Sequence, residues 1–228
     1  MTSEWVNWHR QYEEGSSLSK RLDVVRTLIR DELDRRPPGP LRALSMCAGD
    51  GRDLLEVLAS HPRRADVRAR LVERDPALAA GARDRIARHR LAGIHVVEGD
   101  AGRARVYEGA VPADLLLVCG VYGNISDTDI RNTIAHLPEL AAPGAFVAWT
   151  RGRFQPDLTT TIRTWFRAAG FEEIRFVPVP GSTMAAGANR LVVPPRPFDL
   201  SVRLFEFLAA GERPADRARA RRPAARSP

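Results

Sequence analysis

Lysine is almost absent from this chain: Lys20 is the only one among 35 lysines and arginines. Scarce lysine beside abundant arginine and alanine is the imprint of GC-rich coding. The net charge of +7 is therefore weak ground for a nucleic-acid partner. The arginines are scattered rather than gathered with aromatics into one stripe, so nucleic acid is not expected to bind. A single lysine also leaves no Tyr-x-x-x-Lys pair for hydride-transfer chemistry. Cysteine is scarce as well. Cys47 and Cys119 each sit within or at the end of an apolar run and read as buried free thiols, not as a disulfide framework. No apolar run approaches the roughly 18 residues of a membrane helix. The start of the chain lacks the basic and apolar regions of a signal peptide, so a cytoplasmic protein is expected. The five histidines (His9, His61, His89, His95, His136) show no ligand spacing, and no metal is expected.

What is present suits one domain with modest additions: 228 residues, 44% hydrophobic and 28% charged. Trp5, Trp8 and Tyr12 share one helical face, and a helix with an inner stripe of Leu22, Val25, Ile29 and Leu33 runs from Leu18 to Arg36. Pro37-Pro38-Gly39-Pro40 ends it. Strands are expected at Leu41–Cys47, Val67–Glu73, Ile94–Val97, Ala113–Cys119, Ala145–Thr150, Glu173–Val179 and Arg190–Val193. Helices are expected between them at Arg52–Ser60, Pro76–Arg90, Asp127–His136 and Asp157–Ala169, with another at Phe198–Leu208. Strands alternating with helices imply an α/β, Rossmann-like, doubly wound and mostly parallel sheet. The last two strands have no helix between them and should form an antiparallel edge.

The segment Leu41–Leu55 is the most informative. An apolar strand enters a Gly49-Asp50-Gly51 turn and a helix begins at once, which brings backbone amides and a helix start close to a ligand. Glu73 ends the second strand 22 residues after Gly51, near the roughly 20-residue spacing of a carboxylate that holds ribose hydroxyls. Asp100-Ala101 follows the third strand, where a carboxylate can accept from an adenine amino group. A dinucleotide fingerprint requires a small residue three positions after Gly51. Here that residue is Leu54, which argues against a pyrophosphate ligand and against an oxidoreductase.

With these residues the chain resembles the class I S-adenosylmethionine (SAM)-dependent methyltransferases over about Leu41–Gly170. Cys119-Gly120-Val121-Tyr122-Gly123-Asn124-Ile125 and Trp149-Thr150-Arg151 look closest to a bacterial branch of that family without an assigned substrate. The family's turn usually reads Gly-x-Gly-x-Gly. Cys47 here replaces its first glycine, and Ser45 the acidic residue two positions earlier. The resemblance implies SAM as cofactor, held by Cys47, Ala48, Gly49 and Gly51, with Glu73 on the ribose, Asp100 and Ala101 on the adenine and the backbone of Cys119 and Gly120 on the ammonium group.

Methyl transfer from a sulfonium mainly requires alignment of the acceptor and exclusion of water. Tyr122 and Asn124, in the loop after the fourth strand, are the first substrate-contacting candidates, joined by Tyr12, Arg151 and Arg153. His9 and Tyr122 are candidate catalytic groups. The expected organisation is an N-terminal helical lid over 1–36, a SAM-binding catalytic domain over 37–210 and a disordered basic tail over 211–228. The expected function is methylation of an oxygen or nitrogen of a small molecule by a monomer or homodimer. Ser45 and Cys47 keep open a fold retained as a binding or scaffold protein without turnover. An RNA or protein methyltransferase is a further alternative.

Overall fold

The computed structural model describes Tyr12 and residues 15–214. The expectations for Trp5, Trp8 and His9, and for the tail beyond Pro214, lie outside the described residues. Helix α1 spans Ser17–Arg35. It starts where Ser16 accepts the Ser19 amide at 3.1 Å and buries Leu18, Leu22, Val25, Ile29 and Leu33 along one stripe. The chain then alternates as β1 (Leu41–Met46), α2 (Leu54–Ser60), β2 (Val67–Glu73), α3 (Pro76–His89), β3 (Ile94–Glu98), β4 (Ala113–Val118), α4 (Asp127–Leu140), β5 (Ala141–Gly152), α5 (Thr159–Ala168), β6 (Phe171–Pro178) and β7 (Met184–Leu191).

These strands form one seven-stranded sheet in the order β3-β2-β1-β4-β5-β7-β6. The pairs from β3 to β5 are parallel, and β7 runs antiparallel to both β5 and β6. The antiparallel strand therefore lies one in from the edge, and β6 is the edge itself. Because side chains alternate along a strand, the sheet divides the core in two. Leu116 and Val118 of β4 and Trp149 of β5 face α4 and α5, beside Ile134, Leu137, Ile162 and Phe166. Leu115 and Leu117 of β4 and Ala148 of β5 face α1, α2 and α3, beside Ile29, Leu33, Leu54, Leu58 and Ala82. A continuous apolar strand such as β4 is what burial on both faces demands. No helix among the described residues is long and apolar enough to cross a membrane.

Four elements differ most from expectation, and the first is strand β5, which runs from Ala141 to Gly152 rather than from Ala145 to Thr150. Strand β7 begins at Met184, six residues before the expected Arg190, because Ala185-Ala186-Gly187-Ala188 carries none of the β-branched residues that signal a strand. Helix α4 continues through Pro138 to Leu140, beyond the expected end at His136. The stretch Phe198–Leu208 forms no helix. It is an extended strap that makes isolated bridges from Arg203 to Arg103 and from Phe207 to Ile125. Its polar backbone is satisfied by the loops it crosses. The Leu204 amide donates to Gly102 O at 2.7 Å, Leu208 to Asn124 O at 2.8 Å, and Asn132 Nδ2 donates to the carbonyls of Arg203 and Leu204. Its own Leu204 and Phe205 are buried.

Candidate functional site

Strand order reverses between β1 and β4, and a cavity of roughly 460 Å³ opens at the carboxyl ends of β1, β2, β3 and β4. This crevice is where open α/β sheets bind ligands, since the connections on either side diverge to opposite faces. The loop after β1 forms its floor. Cys47, Gly49 and Gly51 all adopt positive φ, at 53°, 58° and 70°. A Cβ on Gly51 would lie 2.6 Å from Leu55 Cδ1 and 2.8 Å from Leu71 Cδ2, so the turn tolerates only glycine there. Leu54, the bulky residue that argued against a dinucleotide, is fully buried beneath the turn.

Glu73 fastens this loop. Its Oε2 accepts the Gly49 amide at 2.7 Å and its Oε1 accepts the Asp75 amide at 2.8 Å. A carboxylate offers about four lone-pair sites, so Glu73 can accept two further hydrogen bonds from the cavity it lines. Asp100 is similarly set: Oδ1 accepts the Gly102 amide at 3.0 Å and Oδ2 accepts from Arg203 of the strap at 2.8 Å. Ala101 beside it is small and buried.

On the β4 side, the Gly120 amide donates to Thr150 Oγ1 at 2.8 Å, and Asn124 Nδ2 donates to Gly120 O. A Cβ on Gly120 would meet nothing within 4 Å, so the backbone here is open to a close-lying ligand. Burial, with Glu73 and Asp100 nearby, pushes the Cys47 thiol well up, and burial beside Asp53 does the same for Cys119. Both cavity cysteines are therefore protonated and poorly nucleophilic.

Of the candidates read from the sequence, Cys47, Ala48, Gly49, Glu73, Asp100, Ala101, Cys119, Gly120, Asn124 and Tyr12 line this cavity, whereas Gly51 is buried behind it beside Leu55 and Leu71. Tyr122 and Arg151, expected at the acceptor, do not. Tyr122 is fully buried against Trp149 and Phe166, at ring-centroid distances of 6.1 and 6.5 Å. Its ring fills the core on the α4 and α5 face. The buried Arg151 guanidinium donates to the Tyr122 carbonyl, propping the loop from below. Arg153 donates to the Ser182 carbonyl at 3.1 Å, tying β5 to the turn before β7. Among the described histidines, His61, His89 and His136 face the carboxylates of Asp34, Glu56 and Glu139, and none of the four lines the cavity. Among the described residues no cluster of His, Cys, Asp and Glu could hold a metal ion.

The lining residues that sequence reading did not single out include Arg21, Asp53, Phe207 and Arg213. Asp53 was legible only as the start of a helix, and its carboxylate does accept the Leu54 amide at 2.7 Å. Arg21 falls on the apolar stripe of α1 and gives no local sign that it faces a cavity. Phe207 was hidden by the helical reading of the strap.

No protein-family model matches the chain, and no curated protein matches it either. Solved structures do match. An O-methyltransferase family protein from Burkholderia thailandensis aligns with a TM-score of 0.59 at 20% identity, over 74% of this chain and 54% of that one. The carbon methyltransferase CurJ aligns with a TM-score of 0.64 at 13% identity, over 83% of this chain and 59% of that one. The chain thus spans a little over half the length of these two. Magnesium protoporphyrin IX methyltransferase from Synechocystis PCC 6803, solved with bound SAM, aligns with a TM-score of 0.60 at 15% identity, over 83% of this chain and 91% of that one. The chain shares its fold with these three methyltransferases.

Proposed function

We propose that this protein is a SAM-dependent methyltransferase that methylates an oxygen or nitrogen of a small molecule. One observation carries the reading: the glycine turn, Glu73 and Asp100-Ala101 line a single cavity in strand order at the switch point of the sheet. The donor set fits the cofactor. Glu73 has acceptor capacity for ribose hydroxyls, Asp100 faces the adenine slot beside small Ala101, and the backbone around Ala48, Gly49, Cys119 and Gly120 receives the amino-acid arm. The buried Leu54 leaves the turn poorly suited to a pyrophosphate.

Bound SAM supplies an electrophilic methyl group on its sulfonium. The chain's own residues then position the acceptor and keep water out. Asn124 is held by contacts to the backbone of Gly120, Val121 and Leu208 and lines the cavity. Phe207, carried by the strap, and Tyr12 also line the cavity. Exclusion of water and a fixed approach account for most of what a displacement at an activated carbon requires. A reading as a binding protein without turnover draws on the same walls, since no described histidine stands there as a base.

Titration calorimetry with SAM, S-adenosylhomocysteine and NADH tests the proposal. Binding of both sulfur nucleosides near micromolar affinity is expected. Binding of NADH with neither sulfur nucleoside would replace this reading with an oxidoreductase. Release of S-adenosylhomocysteine in the presence of candidate acceptors separates the enzyme from the binding protein.

A further inference from the structure

Two guanidinium groups at the carboxyl end of β5 carry charge with no opposite charge in contact. Arg151 is only 5% exposed, and its one hydrogen bond among the described residues runs from Nη1 to the Tyr122 carbonyl. Arg153 follows two residues later, so strand alternation turns it to the same face. Its Nη2 donates to the Ser182 carbonyl. Among the described residues neither guanidinium meets a carboxylate at ion-pair distance. Arg36, Arg52, Arg85 and Arg190 each do, at 3.1 Å or less. Burial draws the Arg151 guanidinium down from its ordinary value, and Asp127 and Asp157 offset this only through space. Both carboxylates are exposed, and Asp157 is taken by the amide and hydroxyl of Thr159. A buried charge is costly unless an opposite one reaches it. The outer nitrogens leave a way in. The Nε atoms of both arginines are sealed from solvent without a partner, whereas Arg151 Nη2 and Arg153 Nη1 make no hydrogen bond to the protein and are not sealed.

We propose that Arg151 and Arg153 form a site for an oxyanion, a carboxylate or a phosphate, carried by the methyl acceptor. The inference rests on the methyltransferase reading above and deepens it by making the acceptor a small organic acid. The position suits the role. Arg151 holds the far side of the loop whose Asn124 lines the cofactor cavity, and its neighbour Thr150 accepts the Gly120 amide from that cavity. Strand β5 pairs directly with β4, Trp149 opposite Val118, so the two sites lie one strand spacing apart, about 5 Å. An acceptor spanning that interval places its acidic group on the arginines and its oxygen or nitrogen toward the methyl group. Guanidinium donors form a rigid fork that matches the oxygens of either anion.

The test is calorimetry on the full chain with benzoate, phenyl phosphate and neutral benzamide, each with and without S-adenosylhomocysteine. Wild-type protein should bind at least one of the two anions, about tenfold or more tighter than benzamide. The tighter anion tells a carboxylate site from a phosphate site. Arg151→Gln should weaken that anion about 10- to 100-fold, through loss of charge-assisted hydrogen bonds. Arg153→Gln should weaken it about threefold or more, since that side chain is only half-buried. In anion-free buffer the thermal midpoint of Arg151→Gln should stay within about 3 °C of wild type, because relief of an uncompensated buried charge offsets the lost Tyr122 contact. A merely structural Arg151 would give a destabilised variant with unchanged anion affinity. That result, equal binding of benzamide and the anions, or binding of neither anion would overturn the proposal. If the anions bind and S-adenosylhomocysteine does not, the oxyanion site stands and the methyltransferase reading fails.

Discussion

Glu73 Oε2 accepts the amide of Gly49 at 2.7 Å, so the acid at the end of β2 holds the glycine turn at the end of β1. Its other oxygen holds the Asp75 amide, at the start of α3. One carboxylate thereby shapes two walls of the cavity while facing its interior. Glu73→Ala should weaken S-adenosylhomocysteine by about 1–3 kcal/mol, through lost hydrogen bonds to ligand and loop together. Calorimetry measures the affinity and thermal denaturation the fold. A folded variant with unchanged affinity would confine Glu73 to the loop.

Gly51→Ala should destabilise the protein by about 2–4 kcal/mol, combining a left-handed backbone with a Cβ driven into Leu55 and Leu71. Chemical denaturation checks the value. A loss under about 0.5 kcal/mol, the level of an ordinary surface change, would show that the turn relaxes freely.

Glu32 on α1 is buried and receives Arg36 at 2.7 Å, Arg190 of β7 at 2.8 Å and Arg35 at 3.0 Å. Burial pushes its carboxyl up, but the hydrogen bonds from Arg190, Arg35 and Arg36 outweigh that and hold it below the ordinary carboxylate value. A carboxyl held low in the folded state stabilises at neutral pH. That stability disappears as pH falls from the unfolded-state value through the folded one. Glu32→Gln should cost about 1.5–3 kcal/mol at neutral pH by removing the charge-assisted hydrogen bonds from Arg36 and Arg190, both half-buried. The variant should also lose less stability than wild type on acidification. Denaturation midpoints between pH 7 and the acid limb decide both points.

Tyr12 Oη accepts from Arg21, and Arg52 lies over the tyrosine ring at 4.5 Å from its centroid. Tyr12→Phe keeps the ring and removes the hydroxyl. It should weaken S-adenosylhomocysteine by roughly 0.5–1.5 kcal/mol, because Arg21 loses the contact that orients it. Unchanged affinity would leave the ring as packing alone.

Phe205 anchors the strap, 1% exposed, with its ring edge-on to Phe207 at 5.7 Å. Phe205→Ala should cost about 3–5 kcal/mol, the usual range for a large buried aromatic. It should also weaken nucleoside binding, since Phe207 and the Arg203 contact to Asp100 move with the strap. Calorimetry on the folded variant tests the coupling. Unaltered affinity would uncouple the strap from the site.

Elements with a local signature were legible in the sequence. The bounds of β2 at Val67 and Glu73 agree with expectation because Val67, Ala69 and Leu71 alternate with polar residues between a 3-10 turn and the Asp75-Pro76 helix start. Strand β4 was legible because burial on both faces demands a continuous apolar run. Strand β7 was not, since alanine and glycine at its centre carry no β propensity and are chosen for their fit within the sheet.

The strap and Tyr122 failed in a related way. Phe198–Leu208 has apolar residues at spacings a helix can use, but its backbone partners are Gly102, Asn124 and Asn132, distant in sequence. Tyr122 follows β4 where an active-site loop is expected. Which way its ring turns depends on space left beside Trp149 and Phe166, which come from β5 and α5.

The sequence by itself determined the order of strands and helices, the glycine turn after β1 and the carboxylates that follow β2 and β3. Those features are set by periodicity, backbone freedom and spacing, all local properties of the chain. Only the tertiary structure decided that Arg21 from α1, Asp53 from α2 and Phe207 from the strap line the same cavity as Glu73 and Asp100. Their side chains meet because helices and strap pack across the carboxyl end of the sheet, and no spacing along the chain encodes that convergence.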